Sequence, residues 1–222
     1  MIPLRDTVRT RIFPYVNILL IGLNIYIFVR QLTLNYHQLN TAVFTYGLIP
    51  ERLVAELAAG RFISALTPLI TYQFMHSSWV HIGSNMLYLW VFGDNIEDRL
   101  GHIKYLLFYL LMGIIAGLVQ VFFDPGSSIP IIGASGAVAG ILGAYLISCP
   151  RARVVALIPV IFLFTVAEVP AVIFLGFWFI LQVFSGVASI GVNVSVAWWA
   201  HIGGFVAGLG LVNLFGKRIK CQ

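Results

Sequence analysis

The chain has 222 residues, 60% of them hydrophobic and 9% charged, with a formal net charge of +5. A water-soluble domain carries roughly 45–50% apolar and about 25% charged residues, so this composition excludes a soluble globular enzyme. Positive charge on a soluble protein would point to nucleic acid, whereas in a membrane protein the placement of Lys and Arg is first an orientation signal.

Arg5, Arg9 and Arg11 precede the first apolar run, residues 14–29. A signal peptide begins in the same way, but this run outlasts a typical signal core. It ends at Arg30-Gln31-Leu32 with no small-x-small cleavage site, and so reads as a retained span. The stretch 31–78 is too long for a turn. Within it Phe44, Tyr46 and Leu48 precede 51–59, where charges alternate with Leu53, Val54 and Leu57, which predicts a helix lying in the membrane interface. Five more apolar runs follow, at 79–96, 105–123, 132–149, 170–186 and 196–215. Each approaches the roughly 20 residues that a bilayer-crossing helix requires. The apolar piece 154–167 is shorter and is marked by Pro159, Glu168 and Pro170, so it reads as a re-entrant or interfacial segment.

Six spans with the amino terminus inside put Arg5, Arg9, Arg11, Arg99, Lys104, Arg151, Arg153, Lys217, Arg218 and Lys220 on the cytoplasmic side, ten of the 13 Lys and Arg. Only Arg30, Arg52 and Arg61 lie outside. This obeys the positive-inside rule, and a seventh crossing at 154–167 would violate it. The expected fold is therefore an all-α polytopic bundle of six transmembrane helices with both termini cytoplasmic, one domain over 1–222. Cys149 and Cys221 frame no disulfide scaffold, have no metal-ligand spacing and read as packing or terminal residues.

Polar residues inside spans are functional candidates, because a desolvated polar group costs several kcal/mol unless partnered. Three clusters stand out: His76 to Asn85 opening the second span, Gly133-Ala134-Ser135-Gly136 opening the fourth, and Ala200-His201 with Gly204 and Gly208 in the sixth. All three runs point the same way in this topology. Asn85, Ser135 and His201 then lie roughly 5–9 Å down their helices at 1.5 Å per residue, level with one another near the external face.

Singly, each is what helix packing or interhelical bridging produces. Their shared depth favours acyl transfer, with Ser135 as nucleophile and His201 as base. No carboxylate shares that depth: Asp124 belongs to an external connection and Glu168 to the opposite face. Gly136, Gly140 and Ala144 on the fourth span, and Ala200, Gly204 and Gly208 on the sixth, form small-residue stripes that permit the close approach a hydrogen bond needs. Asn85, His81 and the Ser135 backbone N–H can serve an oxyanion. No His-Glu-x-x-His occurs, and Phe92-Gly93-Asp94 has no second intramembrane Asp to share its proton. Asp94, Glu97, Asp98 and Arg99 read as a structural cap at the cytoplasmic end of the second span.

These residues resemble the rhomboid intramembrane serine proteases in their six-span prokaryotic form. The resemblance is carried by Gly133-Ala134-Ser135-Gly136, Ala200-His201-x-x-Gly204-x-x-x-Gly208, His76 and His81 before Asn85, and Glu97-x-x-x-Gly101, and it spans about residues 67–208. It implies Ser135 as nucleophile and His201 as general base, with His81, Asn85 and the Ser135 backbone on the oxyanion. It also implies His76 at a water-filled cavity mouth and Gly133 as the glycine beside the nucleophile. The substrates it implies are single-span membrane proteins cut near the external end of their transmembrane segment. The bilayer is the medium, no metal, nucleotide or other cofactor is used, and no nucleic acid is a partner. The location it implies is the plasma membrane of a bacterial or archaeal cell, with the oligomeric state left open. Two departures stand out. Some members carry a Trp-Arg pair in the first loop and a Tyr stacked on the catalytic His, whereas this chain has Ala139 one turn after Ser135, leaving Trp198 or Trp199 for the stacking role. Two other classes stay in competition: a non-catalytic rhomboid-like clamp binding client helices, and a small transporter or proton relay built on His76, His81 and His201.

Overall fold

The computed structural model describes residues 1–160, 163–191 and 196–216. The first long helix is α1 (Tyr15–Leu32). Three short helices follow, α2 (Tyr36–Tyr46), α3 (Pro50–Ala58) and α4 (Phe62–Thr71), and then a 3₁₀ turn over Tyr72–Phe74. The rest of the bundle is α5 (Trp79–Leu100), α6 (His102–Phe123), α7 (Ser135–Ser148), α8 (Ala171–Ala188) and α9 (Trp198–Phe215). A helix therefore occupies each of the six apolar runs. Four of them, α1, α6, α8 and α9, are long and apolar enough to cross a membrane. In α5 the apolar run is broken by His81, Asn85, Asp94 and Asn95. The 14 residues of α7 rise only about 21 Å, less than the hydrocarbon thickness.

The all-α expectation is corrected by a three-stranded antiparallel sheet. Strand β1 (Ile2–Asp6) pairs with β2 (Arg153–Val160), which pairs in turn with β3 (Leu163–Pro170). The segment read as re-entrant or interfacial thus forms two antiparallel strands rather than a helical or irregular piece. Its β-branched residues, Val154, Val155, Ile158, Thr165, Val166 and Val169, suit a pleated surface better than a helix turn. Val154 and Ala156 are fully buried against the bundle. Pro170 ends β3 and stands at the start of α8.

The stretch 31–78 holds three helices where one was expected. Asn35 and Gln38 cap α2 reciprocally, at 2.9 and 3.1 Å, and Pro50 occupies the first turn of α3. Leu48, Leu53, Ala65, Leu69, Tyr72 and Val121 form a small core of their own beneath them. On its exposed side Arg61 donates to Glu56 at 2.6 and 2.9 Å, and these hydrogen bonds hold the Glu56 carboxyl down at about 2. The platform bears directly on the site. Leu48 and Ile131 exchange backbone hydrogen bonds at 3.0 and 2.8 Å, and Gly133 N–H donates to the Tyr72 carbonyl at 2.9 Å, fixing the loop that enters α7.

The acidic cluster at the end of α5 is not an exposed cap. Glu97 is fully buried and accepts from the Val16 and Asn17 backbone N–H groups at 3.0 and 2.7 Å. It caps α1, whose own N-cap residue, Pro14, offers no side-chain acceptor. Arg99 is 6% exposed and donates to Ser148 Oγ on α7 and to Asn213 Oδ1 on α9, the latter at 2.6 Å. Asp98 pairs with Arg11 at 3.1 Å. Cys149 is buried and is not a free thiol, and Cys221 lies outside the described residues.

Asp6 joins the sheet to the bundle, accepting from Tyr145 at 2.5 Å and Asn95 at 3.0 Å. Burial raises its carboxyl above the ordinary 3.8, opposed by these hydrogen bonds. The folded state therefore holds this proton more tightly than the unfolded chain does. The associated stability is complete below the ordinary value and declines as pH rises through the raised one. Asp6→Asn, which keeps an acceptor without the charge, is expected to remove that decline. Melting temperatures in detergent from about pH 4 upward should fall less steeply than in the wild type.

Candidate active site

Small residues determine how closely α7 and α9 approach. A Cβ added at Gly204 would lie 2.1 Å from the Gly136 carbonyl oxygen, and one at Gly208 would lie 1.9 Å from that of Gly140. The two helices thus touch backbone to backbone. The α7 glycines also serve a second neighbour, because Cβ atoms at Gly136 and Gly140 would meet Ala116 and Met112 of α6 at 2.6 and 2.4 Å. The stripe predicted on α7 for α9 alone is therefore shared with α6. Gly143 supplies a further contact to α9, against the Phe205 carbonyl.

This approach brings the predicted pair together. His201 Nε2 lies 2.8 Å from Ser135 Oγ, with both side chains partly buried. They share a cavity of about 520 Å³ with His81, Asn85, Tyr88 and Trp178. Ser135 is the first residue of α7, so its backbone N–H has no intrahelical partner and sits at the positive end of the helix dipole.

His81 stands beside the nucleophile position. A Cβ on Gly133 would lie 2.7 Å from His81 Nε2 and 3.6 Å from Ser135 Oγ, and Gly133 has φ +132°, which side-chain-bearing residues rarely adopt. On the far side of the ring, His81 Nδ1 meets Ser77 Oγ at 3.1 Å and the Ser77 backbone N–H at 3.4 Å. A backbone N–H can only donate, so Nδ1 accepts and the proton of the neutral ring sits on Nε2, facing the cavity. Asn85 Nδ2 lies 3.0 Å from His76 Nε2, which occupies one of its two donors. His76 itself is 2% exposed, and its backbone is clamped by Gln31 at 3.1 and 3.2 Å. The resemblance placed His76 at a water-filled mouth; it is instead buried behind Asn85 and orients that amide.

The expected stacking partner of His201 is also corrected. Trp199 stacks on Phe123 at 3.8 Å, and Trp198 meets the imidazole edge-on, with centroids 5.8 Å apart at 87°. Trp178 of α8 lies 6.2 Å away at 35°. The polar partner is Gln182 of α8, whose Oε1 lies 2.8 Å from His201 Nδ1. Gln182 and Ser77 were not singled out in the sequence. Gln182 is one of only two polar side chains in α8, with Ser185, so the rule that flagged Asn85 would also have flagged it. Among the described residues no three His, Cys, Asp or Glu side chains gather as metal ligands would.

A membrane bundle with a serine and a histidine in contact at the start of one buried helix defines a class, and comparison with known proteins specifies it. Residues 64–218 match the Rhomboid domain. The chain is 32% identical over 214 residues to the Rhomboid protease GluP of Bacillus subtilis (strain 168), covering 93% of this chain and 37% of that protein. It is 28% identical over 124 residues to Rhomboid protein 1, mitochondrial, of Saccharomyces cerevisiae, covering 52% of this chain and 36% of the relative. With Rhomboid-like protein 11, chloroplastic, of Arabidopsis thaliana, it shares 38% identity over 72 residues, 32% of this chain and 25% of the relative. The chain thus spans between a quarter and little more than a third of the length of these relatives. It belongs to the rhomboid family, typically intramembrane serine proteases, and is a multi-pass membrane protein.

The glycine contacts make a test of the geometry. In Gly208→Ala the new methyl group cannot fit against the Gly140 carbonyl, so α7 and α9 must separate. Overpacking of this kind costs about 1–3 kcal/mol. The melting temperature in detergent should fall, while the same substitution at Gly210, which faces open space, should leave it nearly unchanged.

Proposed function

We propose that this chain is a serine endopeptidase that cleaves transmembrane segments of single-span membrane proteins near their external end. The observation that carries the reading is the 2.8 Å contact between His201 Nε2 and Ser135 Oγ in a cavity that His81 and Asn85 also line. Ser135 Oγ attacks the scissile carbonyl while His201 Nε2 takes its proton, as general base catalysis requires. The tetrahedral oxyanion is met by the Ser135 backbone N–H, the His81 Nε2–H and the second amide hydrogen of Asn85. Collapse breaks the C–N bond, and His201 returns the proton to the departing amine. Water, admitted along Ser77, Ser78 and Ser84 on the cavity wall, then hydrolyses the acyl-serine with His201 again as base. Gly133 leaves room for the His81 ring beside the nucleophile, and Gly136, Gly140, Gly204 and Gly208 keep the two helices close.

In the same reading the chain crosses the membrane six times with both termini cytoplasmic, because that arrangement places ten of the 13 Lys and Arg inside. The bacterial relative aligns over 93% of this chain against 52% and 32% for the two organellar ones, which supports the plasma membrane of a bacterial or archaeal cell. No cofactor takes part in the scheme.

Purified protein should cleave a model transmembrane substrate and react with a fluorophosphonate at Ser135. Ser135→Ala and His201→Asn should each reduce kcat by at least about 10³-fold. Labelling that persists in Ser135→Ala would overturn the assignment. Substrate captured and left equally intact by wild type and Ser135→Ala would establish the clamp, and pH-driven flux in liposomes the relay.

A further inference from the structure

We infer that Gln182 of α8 is the positioning residue of this site, holding His201 in the one neutral tautomer that can accept the Ser135 proton. The inference rests on the protease reading for its consequence, but its geometry stands alone. Gln182 is 8% exposed, and both ends of its amide are engaged: Nε2 donates to the Trp178 carbonyl at 3.2 Å, and Oε1 lies 2.8 Å from His201 Nδ1.

The polarity of this chain of contacts follows from its anchor. The Trp178 carbonyl is a backbone oxygen one turn earlier in α8 and can only accept, so the amide nitrogen must face it. The amide oxygen then faces the imidazole, and an oxygen without a hydrogen can only accept from Nδ1–H. With its proton on Nδ1, the neutral ring carries its lone pair on Nε2, where Ser135 Oγ–H donates at 2.8 Å. A reversed amide would put the ring proton on Nε2 and leave the serine without a base.

Among the described residues no other neighbour sets this choice. Trp178 and Trp198 confine the ring but offer it no hydrogen bond along Nδ1, and Ala139 presents no ring to it. Among the described residues, the ionisable side chains that line the cavity around His201 are His81 and Tyr88 of α5 and Tyr72 of the 3₁₀ turn. A neutral amide thus stands where hydrolases with a third member place a carboxylate, orienting the ring without adding a negative charge.

The direct test is the ¹⁵N spectrum of histidine-labelled protein in detergent, with His201 assigned by loss of its signals in His201→Asn. The wild type should carry the proton on Nδ1, and Gln182→Met should give a mixture of tautomers. With a transmembrane substrate, Gln182→Met should lower kcat about 10- to 100-fold with KM nearly unchanged, and fluorophosphonate labelling of Ser135 should slow in parallel. Gln182→Glu should keep more activity than Gln182→Met and move the acid limb of kcat/KM to higher pH, because a carboxylate beside Nδ1–H favours the imidazolium. If Gln182→Met does not fold, Gln182→Asn, whose amide falls one methylene short of the ring, takes its place. A wild-type ring protonated on Nε2, or a Gln182 variant with unchanged tautomer and unchanged kcat, overturns the inference. An unlabelled Ser135 in the wild type would overturn the protease reading instead and leave the tautomer measurement standing.

Discussion

The backbones of α7 and α9 meet with no side chain between them, and the site depends on that contact. Carbonyl oxygens of Gly136 and Gly140 occupy the space that methyl groups on Gly204 and Gly208 would need. A serine side chain reaches only one bond beyond Cβ, so a histidine on a neighbouring helix can meet it only where the helix axes are unusually close. Ordinary side chains at these positions would open a gap of several ångströms between Oγ and Nε2. In a bilayer, where lipid tails compete equally for apolar surface, such contact also replaces the hydrophobic effect as the cause of helix association. The same glycines therefore serve folding and reactivity.

Many of the polar groups in this apolar bundle fall into two layers, and several of them are hydrogen-bonded between helices. Around the start of α7 three separate sets of hydrogen bonds gather: Ser135 with His201 and Gln182, Ser77 with His81, and Asn85 with His76 and Gln31. At the opposite end, Glu97 caps α1, Arg99 bridges α7 and α9, and Asp6 ties the sheet to Asn95 and Tyr145. Satisfied buried polar groups have one arrangement that meets their directional demands, so these layers set the rotation and register of helices that apolar packing alone leaves degenerate. Asn17 shows the principle within one residue: its amide donates to the Leu89 carbonyl, its oxygen accepts from Tyr105, and its backbone N–H is held by Glu97.

What was legible in the sequence follows from which forces are local. Apolar runs report burial and located every long helix, and charge placement distinguished the segment 154–167 from a further crossing. The strands themselves were harder to read. Their pairing joins residues 2–6 to residues 154–157, and no local pattern encodes a partner so far away. The Ser135 and His201 pairing was legible because both helices carry small-residue stripes and the charge-based topology expects similar depths. The contribution of Gln182 was not, because a lone amide in an apolar helix acquires its meaning only when the neighbouring helix presents an imidazole to it. For Glu97 and Arg99 the structural role is legible and the burial is not. Adjacent charges at a helix end resemble a solvated cap, and only tertiary contacts reveal that they are buried.

The sheet also has a kinetic consequence. The second residue of the chain is hydrogen-bonded within a strand pair whose other member begins about 150 residues later, and Asp6 waits equally long for Tyr145. Contacts of such sequence separation form late, because the intervening chain must first be ordered. During synthesis β1 and the helices from α1 to α7 are made before β2, the strand that β1 pairs with. Docking of β1 closes a circuit through seven helices, so the amino-terminal strand acts as a latch that can engage only after the central helix is in place.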